Sequence, residues 1–216
     1  MLTARSKLRK RTASNGTVLP KDRMTEDEFV AWAFSDEDIR AEWEDGKVIL
    51  MAPVSDAEDD INGWLLTLLR LFVDRRDSGV IKGPNFFVRF ASQKRRRIPD
   101  LLFISKSRQH LIRPTYFEGA PDVAFEIVSK DSQTRDRRKK YHEYEKAGVR
   151  EYWMIDPVSQ TLEAYTLKRG KYVEIEGVDE IVRSSILSGF YLKSEWLFRR
   201  PHPKIHTLPK DLGVGG

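Results

Sequence analysis

Apolar positions along the chain follow two rhythms, helical spacing and short extended runs, and turn-forming residues mark each change from one to the other. "MTEDEFVAWAF" sets apolar residues at helical intervals behind Thr25 and Glu28, which stand in capping-box spacing. "AEWEDGKVILMAP" holds two extended runs on either side of Asp45-Gly46, a pair suited to a tight hairpin. The longest periodic stretch, "SDAEDDINGWLLTLLRLFVDRRD", puts Ile61, Trp64, Leu65, Leu68 and Phe72 on one face, behind a second capping box of Ser55 and Glu58. "GVIKG", "NFFVRF", "PDLLFIS" and "DVAFEIVS" read as strands, the last two as unbroken apolar runs of the kind buried on both faces. A basic helix over about 134–147 ends at Gly148, where a left-handed C-cap fits. "REYWMID", "TLEAYTL" and "KYVEIE" form a meander, and "SGFYLKSEWLF" closes the body. Helices flanking a mixed sheet predict an α/β (α+β) domain whose central strands lie near 100–104 and 122–128.

The two ends carry neither rhythm. "SNGTVLPKDR" is rich in turn formers, and "RPHPKIHTLPKDLGVGG" is punctuated by Pro and Gly. The expected organisation is a basic, disordered tail over 1–23, one folded domain over 24–199, and a Pro/Gly-rich tail over 200–216. A chain of 216 residues supports one sizeable core. No apolar run approaches the roughly 18–20 residues needed to span a bilayer, so no membrane partner is expected. The basic, polar start has no apolar core of a secretory signal. The absence of cysteine excludes disulfides, thiolate catalysis and cysteine-ligated zinc, and together these features suit a prokaryotic cytoplasm.

Charge changes the picture through its placement. The formal net charge is +5, yet residues 1–23 hold seven Lys/Arg against the single Asp22, a net +6. Residues 199–216 contribute a further +3, which leaves the body at −4. Within that acidic body two basic clusters stand out: Lys94, Arg95, Arg96 and Arg97, and then Arg135, Arg137, Arg138, Lys139 and Lys140. Each is either a solvated face or a set of phosphate contacts.

Two acids sit where the chain buries itself. Asp100 stands between "RRRIP" and "LLFIS", and Glu126 interrupts "DVAFEIV". An unpaired carboxylate in such a place costs several kcal/mol or takes up a proton. Each could pair with an arginine; alternatively, two acids on neighbouring strands could share a cation, and oxygen ligands suit magnesium or manganese better than zinc. On the basic helix, Asp136, Lys140 and Tyr144 share a face with Ala147, making Lys140 the lysine best placed to reach the sheet. Lys140 could equally bridge Asp136, and Glu58 serves as a capping residue or as a ligand. The histidines offer nothing sharp, and no Walker loop, GxSxG elbow or HExxH stretch occurs.

Pro99-Asp100, then Glu126, then a lysine resembles the PD-(D/E)XK nuclease superfamily. The surrounding text, "AEWEDGKVILMAP", "IPDLLFIS", "PDVAFEIVS", "RDRRKKYHEYEKAGVREYWMIDP" and "LSGFYL", resembles the Uma-two family of restriction-endonuclease-like proteins over roughly residues 24–199. Most diagnostic is the series Lys140, Tyr144, Ala147-Gly148-Val149 and Glu151-Tyr152-Trp153. The resemblance implies a restriction-endonuclease-like mixed sheet flanked by helices. It implies metal-dependent hydrolysis of nucleic-acid phosphodiesters, DNA first. Asp100 matches the family's PD aspartate, Glu126 the acid of its second strand, and Lys140 a helix lysine replacing the superfamily lysine, whose place Val128 takes. It also implies the Ile127 backbone carbonyl as a metal ligand. Glu42 matches the glutamate of the first hairpin, and Tyr144 joins Glu42 and Glu58 as a further site candidate. Glu58 stands where the family often has histidine, and Lys130 where proline is usual. A second copy of the chain is an allowed partner. The rival reading is a nuclease-like module that binds nucleic acid or a protein without turnover.

Overall fold

The structure is a computed structural model and describes residues 23–36, 38–128 and 135–214, the side chains of 135–137 excepted. The expectation for residues 1–22 lies outside the described residues. Contacts divide the chain into two compact units, Met1–Met51 and Ala52–Gly216.

In the first unit, helix α1 (Glu26–Ala33) opens with the anticipated capping box: Thr25 accepts from the Glu28 amide, and Glu28 accepts from the Thr25 amide. Strands β1 (Ala41–Glu44) and β2 (Lys47–Leu50) pair antiparallel across Asp45 and Gly46. Both turn residues have positive φ, as a two-residue turn matched to strand twist requires. The Trp43 indole donates to the Met24 carbonyl, tying the hairpin to the entry of α1.

The second unit begins with α2 (Asp56–Arg75), capped by Ser55 and Glu58, and proceeds through β3 (Gly79–Lys82), β4 (Phe87–Phe90), β5 (Arg95–Arg97), β6 (Leu101–Ser105), β7 (Tyr116–Glu118) and β8 (Val123–Ile127). Helix α3 (Arg135–Ala147) leads to β9 (Glu151–Asp156), β10 (Thr161–Lys168), β11 (Lys171–Glu174), β12 (Ile181–Arg183), β13 (Tyr191–Lys193) and α4 (Ser194–Phe198). The main sheet has the order β11-β10-β9-β8-β6-β3. Within it β8 and β9 run parallel, as an α3 crossover demands, and the other neighbours are antiparallel. Gly79 is required where β3 meets β6, because a Cβ there would lie 2.2 Å from the Ile104 carbonyl. Beside the main sheet, β4 pairs antiparallel with β5 and parallel with β7. Neither β5 nor β7 was anticipated. Both are three residues long, and β5 is composed entirely of arginines, which have no strand signature of their own.

The strand period of two divides the second unit's core. Leu101, Phe103, Val123, Phe125, Ile127, Trp153 and Ile155 point to one side and pack with Ile61, Leu65, Leu68, Leu69 and Phe72 of α2. Leu102, Ile104, Ala124, Tyr152 and Met154 point to the other side and pack with Tyr144 of α3, Val149, Val88, Phe90 and Phe117. Each fully buried large apolar side chain contributes roughly 1.5–3 kcal/mol, so covering both faces makes this sheet the rigid centre of the unit. The α3 terminus is the predicted one: Gly148 has φ +88°, and the Val149 amide returns to the Tyr144 carbonyl.

The stretch 200–214 is packed and is not a tail. Leu208, Leu212 and Val214 join the same core as α2. The Trp64 indole donates to the Pro203 carbonyl and stacks on His202. Arg75 and Arg76 donate to the carbonyls of Gly213 and Leu212. Two single turns, Ile205–Thr207 and Lys210–Leu212, bond internally, and α2 side chains meet further carbonyls; turns this short carry no periodicity to announce the segment.

Candidate active site

Antiparallel register brings the two conspicuous acids together. Leu101 faces Phe125 and Leu102 faces Ala124, so one further step places Asp100 opposite Glu126. Residues directly opposite on adjacent strands share a face, here the one covered by α3. Asp100 Oδ2 accepts from the Ile127 amide at 2.7 Å, which locks its carboxyl against the end of β8. Glu126 is buried, and α3 supplies donors to both its oxygens: Lys140 Nζ to Oε2 at 2.8 Å and Tyr144 Oη to Oε1 at 2.5 Å. Lys140 and Tyr144 are one helical turn apart, as the shared-face argument expects. Tyr144 has no solvent exposure and packs edge-on against Phe90 and Tyr152, so its hydroxyl is aimed by the core. Lys140 is half-buried and lies at the solvent side of Glu126.

Glu42 is buried on β1, in the first unit. Glu58 accepts from the Ser55 amide at 3.1 Å in its capping box. The buried side of α2 packs on the sheet face opposite to that of Glu126. The cluster over 94–97 divides in two. Lys94 is exposed, whereas Arg96 and Arg97 are buried. Arg96 lies over the Tyr116 ring at 4.5 Å, and Arg97 makes a two-pronged ion pair with Glu143, at 2.7 and 2.8 Å. Arg95 turns back on the Gln93 and Lys94 carbonyls and also reaches Glu143. On α3, Arg138 is exposed and Lys139 half-buried, while the side chains of Arg135 and Arg137 lie outside the described residues.

Glu143 went unremarked in the sequence, although it stands at i+3 from Lys140 on the same helix. Its charge offered no sign of the buried arginine that would claim it. At the opposite end of the sheet, Asp122 and Glu151 are fully buried acids of another kind. Asp122 accepts from the Ser105 amide and from Arg150, with Arg108 alongside. Burial pushes the Asp122 carboxyl up, but the Ser105 amide and the Arg150 and Arg108 guanidiniums together hold it below its ordinary value. Glu151 accepts from the Trp153 indole, both hydroxyls of Ser184 and Ser185, and the Ser185 amide.

No group of three or more His, Asp or Glu side chains that could hold a metal ion is found among the described residues. The donors at Asp100 and Glu126 are two carboxylate groups, one just before β6 and one on β8, with the Ile127 carbonyl next in sequence to Glu126. That set fits an ion such as magnesium, which keeps several waters and takes the remainder of its shell from substrate oxygens.

A crystal structure described as a putative nuclease belonging to DUF820, from Anabaena variabilis, matches over 81% of this chain and 97% of its own, with a TM-score of 0.68 and 22% sequence identity. Residues 26–195 match the family described as "Uma2: Putative restriction endonuclease", and the chain belongs to that family. No curated protein matches the chain.

Proposed function

We propose that the protein is a divalent-metal-dependent endonuclease that hydrolyses nucleic-acid phosphodiester bonds, with DNA as the substrate. The observation that carries this reading is the convergence of Asp100, Glu126 and Lys140 at the strand end of a rigid sheet, with Lys140 Nζ 2.8 Å from Glu126. Asp100, Glu126 and the Ile127 carbonyl would hold magnesium or manganese. When bound, the ion would neutralise phosphate charge and acidify a water. The Ile127 amide would hold the Asp100 carboxylate in a fixed orientation at the end of β8. Lys140 would orient the attacking water and oppose negative charge developing on the phosphate. Tyr144 would keep the Glu126 carboxylate in a single orientation. Lys94, Arg138 and Lys139 would track the nucleic-acid backbone, with Arg135 and Arg137 as further contacts. Arg96 and Arg97 are buried and leave that set, Glu58 serves as a helix cap, and Glu42 is kept as a further site candidate. Among the described residues no helix is long and apolar enough to cross a membrane, and a cytoplasmic site of action suits the reading.

Plasmid cleavage in magnesium or manganese, stopped by chelation and absent in Asp100→Asn, tests the proposal. Metal-independent binding with no cleavage would move the protein to the rival reading, a nuclease-fold module that binds without turnover. One observation favours that rival: both Glu126 oxygens already accept from the chain's own Lys140 and Tyr144.

A further inference from the structure

Helix α3 must hold Lys140 and Tyr144 at a fixed depth above Glu126, and its own sequence is poorly suited to that task. Thirteen residues, "RDRRKKYHEYEKA", bring one buried aromatic, Tyr144, and mostly charge besides. Apolar packing comes from Tyr144 and from Tyr141, which is half-buried and meets Tyr165 and Tyr172 edge-on. Polar contacts with directional geometry flank the two site residues as well. On one side, Glu143 receives the Arg97 fork from β5, with side-chain exposures of 2% for Arg97 and 9% for Glu143. Gln93 Nε2 donates to the Glu143 backbone carbonyl at 3.0 Å. On the other side, Glu145 accepts from the Tyr172 amide at 2.7 Å and from Lys171 at 2.9 Å, on β11. The residue that reads as a phosphate contact in "KRRR" thus grips the helix that carries the site lysine.

We propose that Arg97 is a positioning residue: its buried fork on Glu143 sets the rotation of α3 and so the reach of Lys140 and Tyr144 to Glu126. The proposal rests on the nuclease reading of the same site. A forked guanidinium constrains both distance and angle, which a lysine at the same place does not. Removing one partner strands a buried charge and risks unfolding, so the informative variant replaces both with apolar residues of similar length.

Arg97→Met/Glu143→Met is therefore compared with Arg97→Lys and wild type in three measurements: melting temperature, steady-state cleavage, and the NMR resonance of the Tyr144 hydroxyl proton, assigned by its loss in Tyr144→Phe. The expected result is a folded double variant with kcat lowered at least 10-fold, KM and DNA affinity within 2-fold of wild type, and a shifted or broadened hydroxyl resonance. Arg97→Lys should fall between the two. A rise in KM with a flatter salt slope and unchanged kcat would make Arg97 a phosphate contact and overturn the proposal. A folded double variant with wild-type kcat and an unmoved resonance would make the pair merely structural, which also overturns it. If wild type does not cleave but the resonance moves in the double variant, positioning stands and the nuclease reading fails.

Discussion

The two ends of the central sheet treat buried acids in opposite ways. At one end, Glu151 is sealed from solvent among an indole, two serine hydroxyls and a backbone amide, and Asp122, equally sealed, accepts from a backbone amide and is paired with two arginines whose own side chains reach solvent. At the other end, Asp100 is half-buried, and Glu126 accepts from a half-buried lysine on a helix. The first arrangement is complete; another ligand would have to break good hydrogen bonds without replacing them. The second is leaner: Glu126 has one lysine and one tyrosine hydroxyl, both from α3, and the lysine has a flexible stem. Burial of an acid therefore does not mark a site in this protein. The proposed site differs in its place, at the carboxyl end of β8 in the parallel β8–α3–β9 unit, where the crossover helix supplies the donors.

The contrast breaks first at the acids themselves. Asp100→Asn should abolish metal-dependent plasmid cleavage while leaving the metal-free protein no less stable by urea denaturation; Glu126→Gln should abolish cleavage too, at a modest cost in stability because Lys140 loses its carboxylate partner. A protein that unfolds instead would place these acids with Asp122 and Glu151. Glu151→Ala should do the reverse. It leaves buried donors without an acceptor and should cost about 3–5 kcal/mol of stability, yet any melting shift caused by magnesium should persist. A Glu151→Ala protein as stable as wild type would remove the structural half of the comparison.

Lys140→Ala sharpens the second half. The two acids remain, so a divalent ion should still raise the melting temperature by linkage. Cleavage should fall by on the order of 10²-fold, the usual loss when one transition-state stabiliser is removed. Cutting at the wild-type rate would reduce Lys140 to an ion-pair partner.

Acid titration separates the ends more gently. Asp122 sits below its ordinary value of 3.8; the Tyr172 amide first, and then Lys171, hold Glu145 below its ordinary 4.5. A carboxyl lowered on folding contributes stability that is fully present above its unfolded value and is lost as pH falls through the folded one. The urea midpoint should therefore decline from about pH 4.5 downward through these two groups. In Glu145→Gln the decline should begin at lower pH; an unchanged curve would deny Glu145 its part in anchoring α3. The smallest effect belongs to Glu58→Gln. Glutamine serves in a capping box, so stability should change by less than about 0.5 kcal/mol and cleavage by less than 2-fold. A larger loss of rate would return Glu58 to the site.

Much of this was open to reading before any coordinates. Capping boxes at Thr25 and Ser55, the Asp45-Gly46 hairpin, the Gly148 C-cap and the two apolar strands follow from local sterics and side-chain period. The shared face of Lys140 and Tyr144 is likewise a property of one helix. Asp100 and Glu126 stood out because each interrupts or borders an apolar run, where desolvation demands a partner. Tertiary structure alone decided which partner each charge would take. Arg97 and Glu143 lie 46 positions apart, and nothing in "KRRR" distinguishes an arginine bound for the interior from Lys94, which stays in water. Residues 200–214 satisfy their backbone partly through two single turns and partly through α2 side chains, so their place in the core left no rhythm to read. Periodicity is written into consecutive residues because it arises from backbone geometry. Pairing of buried charges is settled between segments distant in sequence, where only the packed fold determines which donor arrives within 3 Å of which acceptor.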